Sequence, residues 1–214
     1  MSYYNNYLSC REYRAQAAQI CNRQKGKLVV IYLLYFLLVA SFTLIEGLTG
    51  IGNITIDDGV VTFTSGSSGI FNLIFGGAFT LSFIKINKKL QRNEWFSVEY
   101  LFSGFHYFWK AFLIKLLTTI YIFLWSLLLV IPGIIKSFSY SLAMYIANDN
   151  PNLSANECIT RSKELMQGNK FKLFKLLLSY FGWILLCGLT LGILSLWVIP
   201  RINQAIYLFY LDTN

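Results

Sequence analysis

A unit that recurs three times limits what this chain can fold into. Each copy has an apolar residue, a Ser suited to capping a helix, an acidic residue soon after, a short amphipathic stretch and a Gly. Lys and aromatic residues follow, then enough apolar sequence for a membrane-spanning hairpin. The caps read Leu8-Ser9-Cys10-Arg11-Glu12, Phe96-Ser97-Val98-Glu99 and Leu153-Ser154-Ala155-Asn156-Glu157. In the first, Ser9 and Glu12 are spaced to satisfy two free backbone N–H groups reciprocally, with Leu8 stapling onto Tyr13.

The apolar runs dominate the composition. Of 214 residues, 56% are hydrophobic and 13% charged, where a soluble domain carries about 25% charged residues. Aromatics gather beside the ends of the runs, as amphipathic rings do at a bilayer interface. Helical spans are expected over about 28–45, 70–86, 111–131, a return to 147, 171–189 and 193–211. The fold class is therefore an all-α polytopic membrane protein: six transmembrane helices as three hairpins, each preceded by a cytoplasmic amphipathic helix. The chain reads as a single membrane domain, 1–214, with units 1–88, 89–150 and 151–214. Residues 47–69, rich in Gly, Ser and Thr, form a loop carrying a small β-hairpin turned at Asp57-Asp58-Gly59. Gly76-Gly77-Ala78 lets a neighbouring helix approach closely. Turns are expected at Pro132-Gly133, after Asn148-Asp149-Asn150-Pro151 and at Thr190-Leu191-Gly192, and Pro200 kinks the last span.

Charge orients the spans. Lys and Arg precede the first span and lie between the second and third and between the fourth and fifth, whereas 47–69 has Asp57 and Asp58 and no cation. The positive-inside rule places both termini in the cytoplasm of a multi-pass plasma-membrane protein. No secretory signal peptide is expected, because the first apolar run is long enough to stay in the membrane. The net charge of +8 falls at the flanks of apolar segments, so its partner is anionic headgroups rather than nucleic acid. Cys10, Cys21, Cys158 and Cys187 match no metal or redox spacing and read as reduced thiols.

The run Leu124 to Lys136 (LWSLLLVIPGIIK), then Ser139-Tyr140-Ser141, Asp149-Asn150-Pro151 and Ser162-Lys163-Glu164-Leu165-Met166-Gln167-Gly168, form one ordered series. Phe181-Gly182-Trp183, Leu189-Thr190-Leu191-Gly192 and Leu196-Trp197 with Pro200 complete it. Over about residues 95–212 this series resembles the bacterial integral-membrane family of domain of unknown function 975, found mainly in Gram-positive bacteria. The N-terminal third resembles it in layout. Arg201 departs from the pattern, which has an aromatic residue after the Pro. The resemblance implies a polytopic membrane protein and supplies no reaction and no catalytic residues.

Ionisable residues inside apolar runs are functional candidates, because burying a charge in lipid is costly. Lys115 sits about one turn inside the cytoplasmic face and snorkels. Glu46, Lys136 and Arg201 fall in the outer part of the bilayer by this topology. They make a candidate intramembrane polar cluster, in which Glu46 pairs one cation and leaves a positive charge for an anionic partner; the alternative is that each snorkels separately. His106 is the only histidine and lies in an aromatic belt. There is no phosphate-binding loop, nucleophile elbow or paired-carboxylate motif, and no metal or cofactor is expected.

The expected function is non-enzymatic: a plasma-membrane protein binding a membrane partner, peptide or lipid, in envelope maintenance or protection against membrane-active peptides. Its amphipathic helices would lie on anionic headgroups, and an oligomer is left open. The alternative is a small transporter or exporter subunit, suggested by the repeats, the broken last span and the intramembrane charges.

Overall fold

The computed structural model describes residues 8–49, 54–57, 60–63, 67–190 and 192–214. Helix α1 (Cys10–Arg23) begins at a complete capping box: the Ser9 N–H donates to Glu12 Oε2 at 2.6 Å, and the Glu12 N–H donates to Ser9 Oγ at 3.3 Å. Tyr13, Ala17, Ile20 and Cys21 form its buried face. The break after it falls at Gln24 (φ −130°, ψ 42°), and Gly26 lies inside α2 (Lys25–Thr49). At 25 residues, α2 is about 38 Å long, enough for a bilayer core of about 30 Å.

Strands β1 (Ile54–Asp57) and β2 (Val60–Phe63) pair antiparallel, with Ile54 opposite Phe63 and Asp57 opposite Val60. The intended turn residues Asp58 and Gly59 lie outside the described residues. Helix α3 (Ser67–Gln91) follows. Its small residues do admit close neighbours: a Cβ on Gly77 would come within 2.6 Å of the Ala111 carbonyl oxygen, and one on Gly104 would collide with the Ala78 carbonyl.

The second unit departs from expectation at both ends. Ser97 makes no side-chain cap bond, and Val98–Tyr107 is a 3-10 helix rather than an amphipathic α-helix. The spacing accounts for the missing reciprocal bond: Glu99 stands two residues after Ser97, whereas a capping box needs three. The segment is held instead by the Gly104 N–H, which donates to Ser82 Oγ at 2.9 Å, and by Lys85 Nζ on the Ser103 carbonyl at 2.8 Å. Helix α4 (Phe108–Leu128) ends at Leu129, whose extended backbone (φ −163°, ψ 141°) makes the turn. Pro132 and Gly133, expected to be that turn, lie in the first turn of α5 (Val130–Tyr140). There a missing N–H has no helical partner to lose, and Gly133 abuts Ser126 of α4 too closely for any Cβ.

A second break separates α5 from α6 (Ala143–Asp149). It is bridged by Ser162 of α7 (Ala155–Leu165), whose buried hydroxyl donates to the Ser139 carbonyl at 2.8 Å and accepts from the Leu142 N–H at 3.2 Å. Helix α7 repeats the capping box through Ser154 and Glu157 and ends before Gly168 (φ 75°). Helices α8 (Lys170–Leu178) and α9 (Phe181–Leu189) are separated at Ser179-Tyr180. Gly192 (φ 83°) precedes α10 (Ser195–Thr213), which continues through Pro200.

Among the described residues, three stretches are long and apolar enough to cross a membrane: Lys25–Ile45, Val98–Leu127 and Lys170–Leu189. This is not the six expected. The return segment of the second unit is divided into 11 and 7 residues, and α10 carries Arg201, Asn203 and Gln204 in its first half.

Two outcomes test this packing. Gly104→Ala should lower the melting temperature markedly, by an overpacking cost of about 1–3 kcal/mol, whereas Gly182→Ala, with open space around it, should leave it unchanged or raised. Equal melting of the two variants would contradict the close approach. In the capping boxes, hydrogen bonds from the Ser9 and Ser154 backbones, then from their side chains, hold the Glu12 and Glu157 carboxyls below their ordinary 4.5. That stabilisation is fully present above 4.5 and is lost as pH falls through the lowered values. Amide exchange at the starts of α1 and α7 should therefore accelerate, relative to intrinsic rates, only on the acid side of 4.5, and the uncapped Ser97 segment should show no such step.

Candidate functional site

The sequence candidates have different surroundings. Lys136 lies on α5 with Nζ 4.4 Å from the Trp125 ring of α4, a cation–π contact across the Leu129 turn. Glu46 lies in α2, and its side chain is outside the described residues. Lys115 is half-buried on α4, and His106 is exposed with its ring edge-on to Tyr107 at 4.9 Å. Arg201 belongs to another neighbourhood: it faces α1, and among the described contacts it shares no partner with Lys136.

That neighbourhood is a cleft of about 600 Å³. It arises because α1 lies across α10, pinned by the Tyr13 hydroxyl donating to Asp212 at 2.6 Å and by the edge of the Tyr13 ring on Phe209 at 6.1 Å. Next to the buried stripe of α1 runs a second stripe, Arg11, Arg14, Ala15 and Ala18, at helical spacing. It forms one wall of the cleft; Tyr180 and Trp183 form the second, and Val198 and Arg201 the third. Arg14 stands over the Tyr180 ring at 5.3 Å.

Three arginines thus line one concavity. Among the described residues none is paired with a carboxylate: Glu12 is turned back to Ser9, and Asp212 accepts from Tyr13. Guanidinium stays charged at any physiological pH and only donates hydrogen bonds. The arrangement is therefore suited to holding an anion. Cys21, on the buried face of α1, feels the same charge: burial pushes its thiol up to about 12, and Arg201 pulls the other way.

A second polar centre is satisfied internally. Asp149, at the end of α6, accepts from Lys88 Nζ of α3 at 2.6 Å, from the Tyr210 hydroxyl of α10 at 3.0 Å and from Asn148 Nδ2 at 3.2 Å. Lys110 Nζ bonds the neighbouring Asn150 carbonyl at 2.7 Å. These residues are spent on holding helices together. No group of three His, Cys, Asp or Glu side chains able to hold a metal ion occurs among the described residues.

The sequence marks Arg201 as unusual and assigns it a depth near Lys136. It presents Arg11 and Arg14 as topology charges and Asp149 as a helix stop. The signal available for the arginine stripe was its spacing of three and four residues beside the apolar face of α1.

Among the described residues the protein is helical apart from one two-stranded hairpin, with three helical stretches long and apolar enough to cross a membrane and an arginine-lined cleft. The chain belongs to the family described as Protein of unknown function (DUF975), whose profile matches residues 8–136 and 126–214. No curated protein and no solved structure matches it.

Thiol labelling checks how α1 sits. Cys10 lines the cleft and is partly accessible, whereas Cys21 is buried. A soluble maleimide near neutral pH should modify Cys10 and spare Cys21 until the protein is denatured. Equal labelling of the two would show that α1 does not rest on α10.

Proposed function

We propose that the protein is a non-enzymatic multi-pass protein of the plasma membrane that binds a membrane partner, peptide or lipid, at the cleft beneath α1. Its role is envelope maintenance or protection against membrane-active peptides. The observation that carries this reading is the lining of one cleft by Arg11, Arg14 and Arg201 without a carboxylate partner among the described residues, next to exposed apolar surface on α9. Water does not tolerate broad apolar faces such as Leu33, Phe36 and Leu37 on α2 or Phe123, Leu124 and Leu127 on α4; a bilayer does.

In this reading α2 with α3, α4 with α5–α6, and α8–α9 with α10 are the three hairpins, six spans in all, with both termini in the cytoplasm. The packing of α2 on α3, α4 on α5 and α9 on α10 supports the pairing, and the positive-inside rule supports the orientation. Helices α1 and α7 then lie at the inner face, against anionic headgroups.

The alternative, a small transporter or exporter subunit, draws on the interruptions between α5 and α6 and between α8 and α9, a feature that recurs where transporters bind substrate. Photo-crosslinking in intact membranes from position 15, on the wall of the cleft, separates the readings. It should capture a discrete lipid, peptide or protein that a probe at the exposed Thr119 does not. Equal, diffuse adducts from both positions would remove the support for a binding cleft. A solute flux in loaded vesicles that is lost in Arg201→Gln would favour the transporter.

A further inference from the structure

We propose that the cleft between α1, the α8–α9 junction and α10 binds a phosphate ester, and that this ester is the headgroup of an anionic phospholipid. The proposal rests on the membrane-partner reading and names the chemistry of the partner. Three observations lead to it.

The first is unbalanced charge. Arg11 and Arg14 come from α1 and Arg201 from α10, so folding sets like charges around one cleft, where they repel. The acidic groups that might offset them are committed elsewhere: Glu12 to its cap, Asp212 to Tyr13, Asp149 to Lys88 and Tyr210. A bound anion relieves that repulsion, and no described side chain does.

The second is a buried donor without an acceptor. Tyr180, on the wall of the cleft, is only 4% exposed, yet its hydroxyl has no hydrogen-bond partner among the described residues. Such a group is costly to leave unmade. Its ring lies under Arg14, which puts the phenol beside the guanidinium that would meet the ligand.

The third is the character of the remaining wall. Ala15, Ala18, Trp183 and Val198 are apolar, and beyond Trp183 the α9 surface continues with exposed Phe181, Ile184 and Leu185. The ligand that fits has an anionic end and a hydrocarbon end. Guanidinium matches carboxylate and phosphate alike, but these donors come from two sides of the cleft. A carboxylate and a phosphate can each accept from both sides; the phosphate spreads its acceptor oxygens over a tetrahedron rather than a plane, which suits donors on separate walls. A phospholipid also reaches this cleft laterally, through the apolar face of α9.

The full-length protein in neutral detergent, examined by native mass spectrometry against added phosphatidylglycerol and phosphatidylcholine, tests the assignment. The wild type should retain phosphatidylglycerol in preference. Arg14→Gln and Arg201→Gln should each weaken retention about tenfold, the loss of one charge-assisted hydrogen bond. Tyr180→Phe should weaken it several-fold with an unchanged melting temperature, since the lost hydroxyl has no partner among the described residues. Arg23→Gln, at the far end of α1 and outside the cleft, should change nothing. Equal loss in the three arginine variants, with none in Tyr180→Phe, would show general surface electrostatics and overturn the site. Glycerol 3-phosphate or inorganic phosphate displacing the lipid at comparable concentration would uphold the phosphate chemistry and overturn the lipid as its source. A wild type that does not prefer phosphatidylglycerol overturns the proposal. In that event a discrete peptide or protein adduct from position 15 would leave the membrane-partner reading standing, and its absence would end both.

Discussion

The carboxylate of Asp149 stands at the end of α6, where a seven-residue helix stops. Lys88 reaches it from the first unit and Tyr210 from the third, while Asp149 itself belongs to the second. One side chain thus ties together three segments that the sequence presents as separate hairpins. Hydrogen bonds to a charged group are worth roughly 1.5–3 kcal/mol each, more than the neutral contacts around them. The tyrosines at this end reinforce the junction: Tyr145 of α6 lies against Tyr210 at 5.4 Å between ring centres. With α10 fixed here, α1 has a firm surface to cross, and the Tyr13–Asp212 bond falls within one helical turn of Tyr210. The arginine cleft is a consequence of that crossing.

The two capped helices are alike in their first turn and different in use. Helix α7 buries Cys158, Ile159 and Ser162 and spends its hydroxyl on the α5–α6 break. Helix α1 buries Tyr13, Ala17, Ile20 and Cys21, but the stripe next to them faces a concavity rather than another helix. The same local signal therefore produces one helix that closes the core and another that leaves cations unpaired.

Much of the local structure could be read from the chain. Ser9 and Ser154 cap because the Ser-x-x-Glu relation is contained in four residues. The same rule, applied strictly, foretells the failure at Ser97, whose Glu comes one position early. The Gly76-Gly77-Ala78 patch marks close packing, although only the fold shows that Ala111 and Gly104 are what it meets. The turn at Leu129 was hidden because Pro-Gly is a turn signal and equally a permitted helix start. Arg201 was recognisable as unusual, but counting residues along a span gives a depth and says nothing of which helix lies alongside. Its company depends on α1 crossing α10, a contact between residues 199 positions apart, and no local pattern carries that information.

The hydroxyl of Ser162 occupies the gap between α5 and α6, taking one backbone donor and supplying one backbone acceptor across it. If α7 slid by a single residue, the Ser139 carbonyl and the Leu142 amide would both lose that partner at a buried position. One hydroxyl therefore couples the register of α7 to the break between α5 and α6: a shift of either helix at that point opens two buried backbone groups at once.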